Sequence, residues 1–162
     1  MGLENQILID LEKCYECREC EAKCDYPLHH AKTGIRMLIE ESIRKVTCRH
    51  CEDAPCVLAC PTEALKKQDD ELERASFLCT SCKTCIIACP FGVNTLETVE
   101  FQTSSCDLCA EREVLCVETC PKGAVRTGTF KEDGNQDIYK IRENVFAKGV
   151  HWKKQLGIKE KE

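Results

Sequence analysis

Apolar residues in this chain come in short runs broken by polar ones, with no long periodic stretch. Ile7–Asp10 and Ser76–Leu78 are strand candidates. The segment Tyr26–Val46 carries Ile35, Met37, Leu38, Ile39 and Ile43 and is expected to pack against the rest of the fold. Lys131-Glu-Asp-Gly-Asn135 predicts a turn, with a hairpin between Val125–Phe130 and Asp137–Ile141. Beyond it, Ile141, Val145, Trp152 and Leu156 share one face if the segment is helical, and Gly149 argues against a helix there. This tail either packs on the protein's own lobe or serves as a docking arm for a partner or a further copy, anchored by Trp152. No apolar run approaches the roughly 18 residues of a membrane span.

Composition changes the picture through one residue type. Of 162 residues, 16 are cysteine, and cysteine is counted in the 43% hydrophobic fraction. With the cysteines set aside, about a third of the chain is apolar, a thin supply for a conventional core. The segment Met1–Asp10 has no basic n-region and no apolar h-region, and no twin-arginine pair precedes a hydrophobic stretch. The expectation is a soluble, cytoplasmic protein whose thiols stay reduced and available to metal. Its basic residues are scattered among acidic ones and the formal charge is −5, so no basic face for nucleic acid is expected.

The cysteines form four quartets with none left over. Cys14, Cys17, Cys20 and Cys24 are spaced C-x2-C-x2-C-x3-C. Cys48, Cys51, Cys56 and Cys60 follow C-x2-C-x4-C-x3-C, then Pro61. Cys79, Cys82, Cys85 and Cys89 repeat the tight spacing before Pro90, and Cys106, Cys109, Cys116 and Cys120 follow C-x2-C-x6-C-x3-C before Pro121. The third quartet matches the bacterial ferredoxin run, in which three thiolates hold one [4Fe–4S] cluster and the fourth reaches a neighbouring one. Two-residue gaps let a loop curl three thiolates around a cubane, and proline redirects the chain after the fourth. Four such clusters would bring the loaded charge to roughly −13. Their binding energy would be folding energy, so the metal-free chain should fold poorly.

Two rivals fit less well. Zinc also takes four thiolates, but ribbons and fingers pair two separated C-x2-C knuckles and lack the x3-C-P ending. Disulfides across C-x2-C gaps would be tight and strained.

Tight-then-wide spacing occurs twice, and the wide quartets share a tail: Cys60-Pro-Thr-Glu-Ala-Leu65 and Cys120-Pro-Lys-Gly-Ala-Val125. Duplication of a two-quartet unit explains this, and tandem and nested pairings of the quartets both respect it. The interval from Cys60 to Cys79 resembles that joining the halves of a small bacterial ferredoxin, which favours pairing quartets two and three. The fold class expected is α+β, two ferredoxin-like [4Fe–4S] lobes in a nested duplication with a C-terminal extension. Residues 1–127 would form the cluster domain and 128–162 the hairpin or helical tail.

With Cys48-Arg-His-Cys-Glu-Asp-Ala-Pro-Cys56 and Cys82-Lys-Thr-Cys-Ile-Ile-Ala-Cys-Pro-Phe-Gly92, the four quartets resemble a known family. It comprises the four-cluster electron-transfer subunits of molybdenum and tungsten oxidoreductases, formate-linked hydrogenases and carbon monoxide dehydrogenase. The resemblance implies nested ligation: Cys14, Cys17 and Cys20 with Cys120; Cys48, Cys51 and Cys56 with Cys89. It likewise implies Cys79, Cys82 and Cys85 with Cys60, and Cys106, Cys109 and Cys116 with Cys24. Asp25, where the other quartets have proline, leaves the exit path after Cys24 open. His29, His30 and His50 read as surface or spacer residues, while Arg49 and Lys83 either stabilise a reduced cluster or face solvent.

No Gly-rich phosphate loop, nucleophile motif or open metal site appears, and every cysteine is assigned to ligation. The expected role is non-enzymatic: electron transfer through four [4Fe–4S] clusters between a catalytic subunit and a redox partner. The resemblance implies a tungsten- or molybdenum-pterin enzyme acting on formate or an aldehyde, with hydrogenase or carbon monoxide dehydrogenase equally compatible. A freely diffusing polyferredoxin is the alternative, and copies stacked through the tail, or alongside other ferredoxin-type subunits, are a third arrangement. Exposed cubanes would suit anaerobic life.

Overall fold

Ile7, Leu8 and Ile9 are wholly buried, and their strand β1 (Gln6–Asp10) is the centre on which the larger sheet is built. The computed structural model describes residues 6–24, 33–69, 71–93, 106, 108–109 and 113–158. Within these the architecture is α+β. On one side β1 pairs antiparallel with β4 (Val125–Gly128), Ile9 opposite Val125. On the other it runs parallel to β6 (Val145–Lys148), Ile7 opposite Val145, and β5 (Ile138–Arg142) closes the edge. The order is β4-β1-β6-β5. Burial on both faces explains the unbroken apolar run of β1.

Asp10 ends that strand and caps helix α1 (Leu11–Tyr15), its carboxylate accepting from the Lys13 N–H at 3.4 Å. Buried among the strands, it is compensated by Arg126 at 3.8 Å and Lys148 at 3.9 Å. Helix α2 (Thr33–Thr47) lays Ile35 and Leu38 onto Ile7, Ile9, Val125 and Val145, with Met37 buried and Ile39 partly so. Ile35, Met37, Leu38 and Ile39 of the Tyr26–Val46 segment therefore pack on the lobe, while residues 26–32 lie outside the described residues. Glu40 on α2 takes Arg44 at 3.5 Å and Arg74 at 2.8 Å, tying the helix to the second sheet. That sheet is the antiparallel pair β2 (Leu65–Gln68) and β3 (Glu71–Arg74), Leu65 opposite Arg74. Short helices α3 (Pro55–Leu58) and α4 (Thr84–Ala88) pack on each other, and α5 (Leu115–Glu118) packs on β4. Helix α6 (Trp152–Gln155) follows β6. Among the described residues no helix is long and apolar enough to cross a membrane.

Three sequence expectations are corrected. Ser76–Leu78 is a single 3-10 turn, the Leu78 N–H bonding the Ala75 carbonyl at 3.1 Å. The strand lies earlier, at β3, because the chain must already curl to deliver Cys79. The hairpin between Val125–Phe130 and Asp137–Ile141 does not form: β4 pairs with β1, and β5 turns back through Glu143 and Asn144 onto β6. The tail is not one helix, since Ile141 and Val145 lie in β5 and β6. Valine and phenylalanine at 145–146 suit a buried strand, and β1 offers free backbone partners. The segment 138–148 is thus an integral part of the sheet and not an appended arm. Gly149 lets the backbone pass close to Leu11, whose Cδ1 a Cβ would meet at 3.1 Å. His29 and His30 lie outside the described residues.

Candidate metal centres

The two sheets mirror each other. Each pairs the strand following a wide quartet's Cys-Pro with the strand preceding a tight quartet, β4 with β1 and β2 with β3. This brings distant cysteines together. Burial pushes the Cys14 thiol up to about 12, and the thiols of Cys120, Cys20 and Cys17 reinforce it. Burial likewise pushes Cys116 up to about 12, with Cys106, Cys109 and Cys24 acting in the same sense. Cys56 is raised by burial, then by Cys89 and Cys48; Cys85 by burial, then by Cys79, Cys60 and Cys82. Cys48, Cys51, Cys56 and Cys89 also line one hollow, and Cys14, Cys17, Cys20 and Cys120 another.

The turn after the fourth cysteine explains Cys-Pro. Three residues on, the backbone enters the left-handed region at Glu63, Gly92 and Gly123, with φ of 53°, 64° and 57°. That aims the next N–H back at the sulfur: Ala64 to Cys60 Sγ at 3.3 Å, Val93 to Cys89 at 3.4 Å, Ala124 to Cys120 at 3.3 Å. At Cys60, burial alone would raise the thiol, but the Thr62 and Leu65 amides, the Thr62 hydroxyl and the Ala64 amide lower it below its usual 9.0. Cys120 is lowered against burial in the same way by the amides of Val125, Ala124, Lys122 and Gly123. Hydrogen bonds to sulfur favour the thiolate, the form a metal takes.

The C-x2-C loops do related work. His50, Ser81 and Leu108 sit at φ of 49°, 56° and 57°, each just before the second cysteine of its quartet. The His50 N–H reaches Cys48 Sγ at 3.5 Å and the Leu108 N–H reaches Cys106 Sγ at 3.4 Å. At exposed Cys82 the Thr84 hydroxyl, 3.1 Å away, heads the interactions that lower the thiol. None of these left-handed positions is glycine, so sequence gave no sign of them. The first quartet differs, because helix α1 runs through Cys14 and leaves Glu16 in the right-handed region. His50 thus contributes through its backbone, while Lys83 is the left-handed cap of α4.

These donor sets suit iron–sulfur cubanes. Four thiolates on one zinc stand about 3.8 Å apart, given a Zn–S bond of about 2.3 Å. Among the described residues, which include all sixteen cysteines, no three or more Cys, His, Asp or Glu side chains are set to hold a single ion. A four-iron core holds its thiolates farther apart and prefers amides aimed at sulfur.

Comparison with known proteins agrees. Residues 39–130 match the 4Fe-4S dicluster domain, a stretch containing quartets two, three and four. The chain is similar to Putative oxidoreductase UacF of Escherichia coli (strain K12), 35% identical, the match covering 88% of this chain and 24% of UacF. It is similar to the thiosulfate reductase electron transfer subunit PhsB of Salmonella typhi, 28% identical over 87% of this chain and 88% of PhsB. The iron-sulfur subunit of the nitrate-inducible formate dehydrogenase of Escherichia coli (strain K12) is 30% identical over 77% of this chain and 54% of that subunit. The chain therefore spans about a quarter of UacF but most of PhsB. Cysteines gathered across distant quartets, amides turned onto their sulfurs and a family match over more than half its length lead to one assignment: this chain belongs to the 4Fe-4S dicluster domain family.

Proposed function

We propose that this chain is an electron conductor carrying four [4Fe–4S] clusters within a larger oxidoreductase complex. Each cluster, when bound, accepts or gives up one electron without making or breaking a bond to the protein. Ligation would be nested: Cys14, Cys17 and Cys20 with Cys120; Cys106, Cys109 and Cys116 with Cys24. In the other lobe, Cys48, Cys51 and Cys56 would act with Cys89, and Cys79, Cys82 and Cys85 with Cys60. The observation that carries this reading is the reach of Cys120, Cys24, Cys89 and Cys60 to thiols outside their own quartets. The mirrored sheets support a ferredoxin-like duplication, each lobe closed by its own strand pair.

The chain's own residues supply thiolates, aim amides at them and partly cover most of them. Substrate chemistry belongs to a partner, since all sixteen cysteines are committed to ligation. The subunit reading draws its support from PhsB and the formate dehydrogenase subunit. A tungsten- or molybdenum-pterin enzyme acting on formate is the partner that best fits the second of these. The tail no longer argues for a docking arm, because β6 is central to the sheet and Trp152 lies over Arg49.

Anaerobic isolation with partners retained, followed by metal analysis, tests the reading. About sixteen irons per copy of this chain, beyond the partner's share, with tungsten or molybdenum alongside, is the expected result. Iron on a chain that purifies alone would favour the free polyferredoxin, and zinc in place of iron would overturn the proposal.

A further inference from the structure

Two cations converge on one centre. Lys67, on β2, donates from Nζ to the carbonyls of His50 at 3.2 Å and Cys51 at 3.1 Å, both in the C-x2-C loop of the second quartet. Arg49, in the same loop, holds its guanidinium 4.3 Å from the Phe91 ring centroid and 4.9 Å from that of Trp152. An exposed arginine is thereby pinned between a ring two residues past Cys89 and a ring brought by α6. Both side chains line the hollow that Cys48, Cys51, Cys56 and Cys89 share. Arg44, buried on α2 and paired with Glu40 at 3.5 Å, also acts on Cys48.

Arg18 and Arg36 line the hollow of Cys14, Cys17, Cys20 and Cys120, but there they stand among the carboxylates of Glu12, Glu19, Glu21 and Glu40. Besides thiols, the charge acting on Cys14 is the carboxylate of Asp10. The charges acting most strongly on Cys85 are all thiols. Cys106 has Arg142, itself paired with Glu41 at 3.7 Å.

We propose that Lys67 and Arg49 make the centre held by Cys48, Cys51, Cys56 and Cys89 more readily reduced than its four thiolates alone would allow, with Trp152 and Phe91 fixing Arg49 in place. The inference rests on the ligand sets proposed above. Reduction adds one electron from an external donor, such as reduced methyl viologen, which leaves as its dication; no proton moves and no bond changes. Fixed positive charge in a partly buried site stabilises that added negative charge, and held side chains need not reorganise. Lys67 and Arg49 are positioning residues in this sense, and Trp152 of the tail acts as the clamp on Arg49.

The test is an anaerobic redox titration of the loaded full-length chain, followed by electron paramagnetic resonance. In Lys67→Met and Arg49→Gln, one component, the same in both variants, should become harder to reduce. Its reduced-to-oxidised ratio at the original midpoint should fall about tenfold, while the other three components stay put. Lys67→Arg should restore the original midpoint, and Lys66→Gln, the same charge change on an exposed neighbour, should do nothing. If Lys67→Met loads poorly, Arg49→Gln, at an exposed site, decides. Components that all move together, that do not move, or different components moving in the two variants would overturn the inference. Iron is counted on every sample: a natural chain with markedly fewer than about sixteen irons breaks the ligand reading, whereas a full count with unmoved potentials breaks this inference alone.

Discussion

Replacing Gly34 with alanine sets two physical effects against each other. Gly34 lies in the first turn of α2, where exchange of glycine for alanine should favour the helix by up to about 1 kcal/mol. The added Cβ, however, would stand 2.9 Å from Cys24 Sγ. Comfortable contact begins at about 3.5 Å, so the sulfur must retreat by about 0.6 Å. Metal–ligand distances tolerate about 0.2 Å, so Cys24 would leave ligand range unless the whole centre followed it. Cys106, Cys109 and Cys116 hang from a separate stretch of chain and have no reason to follow. We expect Gly34→Ala to lose the centre that Cys24 completes, iron falling from about sixteen to about twelve per chain, with three paramagnetic components remaining. Gly134→Ala, whose Cβ meets nothing within 4 Å, is the control and should keep all its iron. Anaerobic iron and acid-labile sulfide analysis reads the outcome. Full iron with a raised melting temperature in Gly34→Ala would refute the placement of Cys24 as a ligand.

Three further outcomes follow from the same geometry. Gly123→Val forces a β-branched residue to φ 57° and should cost about 2 kcal/mol, whereas Glu63→Gly at the matching turn should gain about 1 kcal/mol; denaturant unfolding of the loaded protein measures both. Glu40→Gln leaves Arg74 and Arg44 without their shared carboxylate and should destabilise the protein by about 3 kcal/mol in the same assay. In the metal-free chain, Cys14 and Cys116 hold their protons to about 12, whereas the unfolded thiols ionise near 9.0. Between those values the unfolded state binds fewer protons, so residual structure should weaken as pH rises from about 9. Circular dichroism across that window should show the loss, and a Cys14→Ala, Cys116→Ala variant should lose less.

Cysteine spacing made the four quartets legible as [4Fe–4S] ligand runs, because a cubane's reach restricts which gaps can serve it, but spacing left open which quartets share a centre. The Ile7–Asp10 strand was legible too, being both apolar and short. What sequence hid was conformation with no residue signature. Left-handed backbone at His50, Ser81 and Leu108 is imposed by the loop around the sulfurs, and none of the three is a residue type that announces it. The tail misled because Ile141, Val145, Trp152 and Leu156 satisfy helical spacing while their neighbours satisfy a strand. The open flank of β1 decided between them, and that is a tertiary fact. Lys67 and Arg49 were invisible as a pair, since one comes from a strand and the other from a cysteine loop.

Native mass spectrometry of the anaerobically loaded chain tests the central claim most directly. A mass excess equal to four [4Fe–4S] cores on one chain is the expected result. Two cores, or four zinc ions, would contradict it.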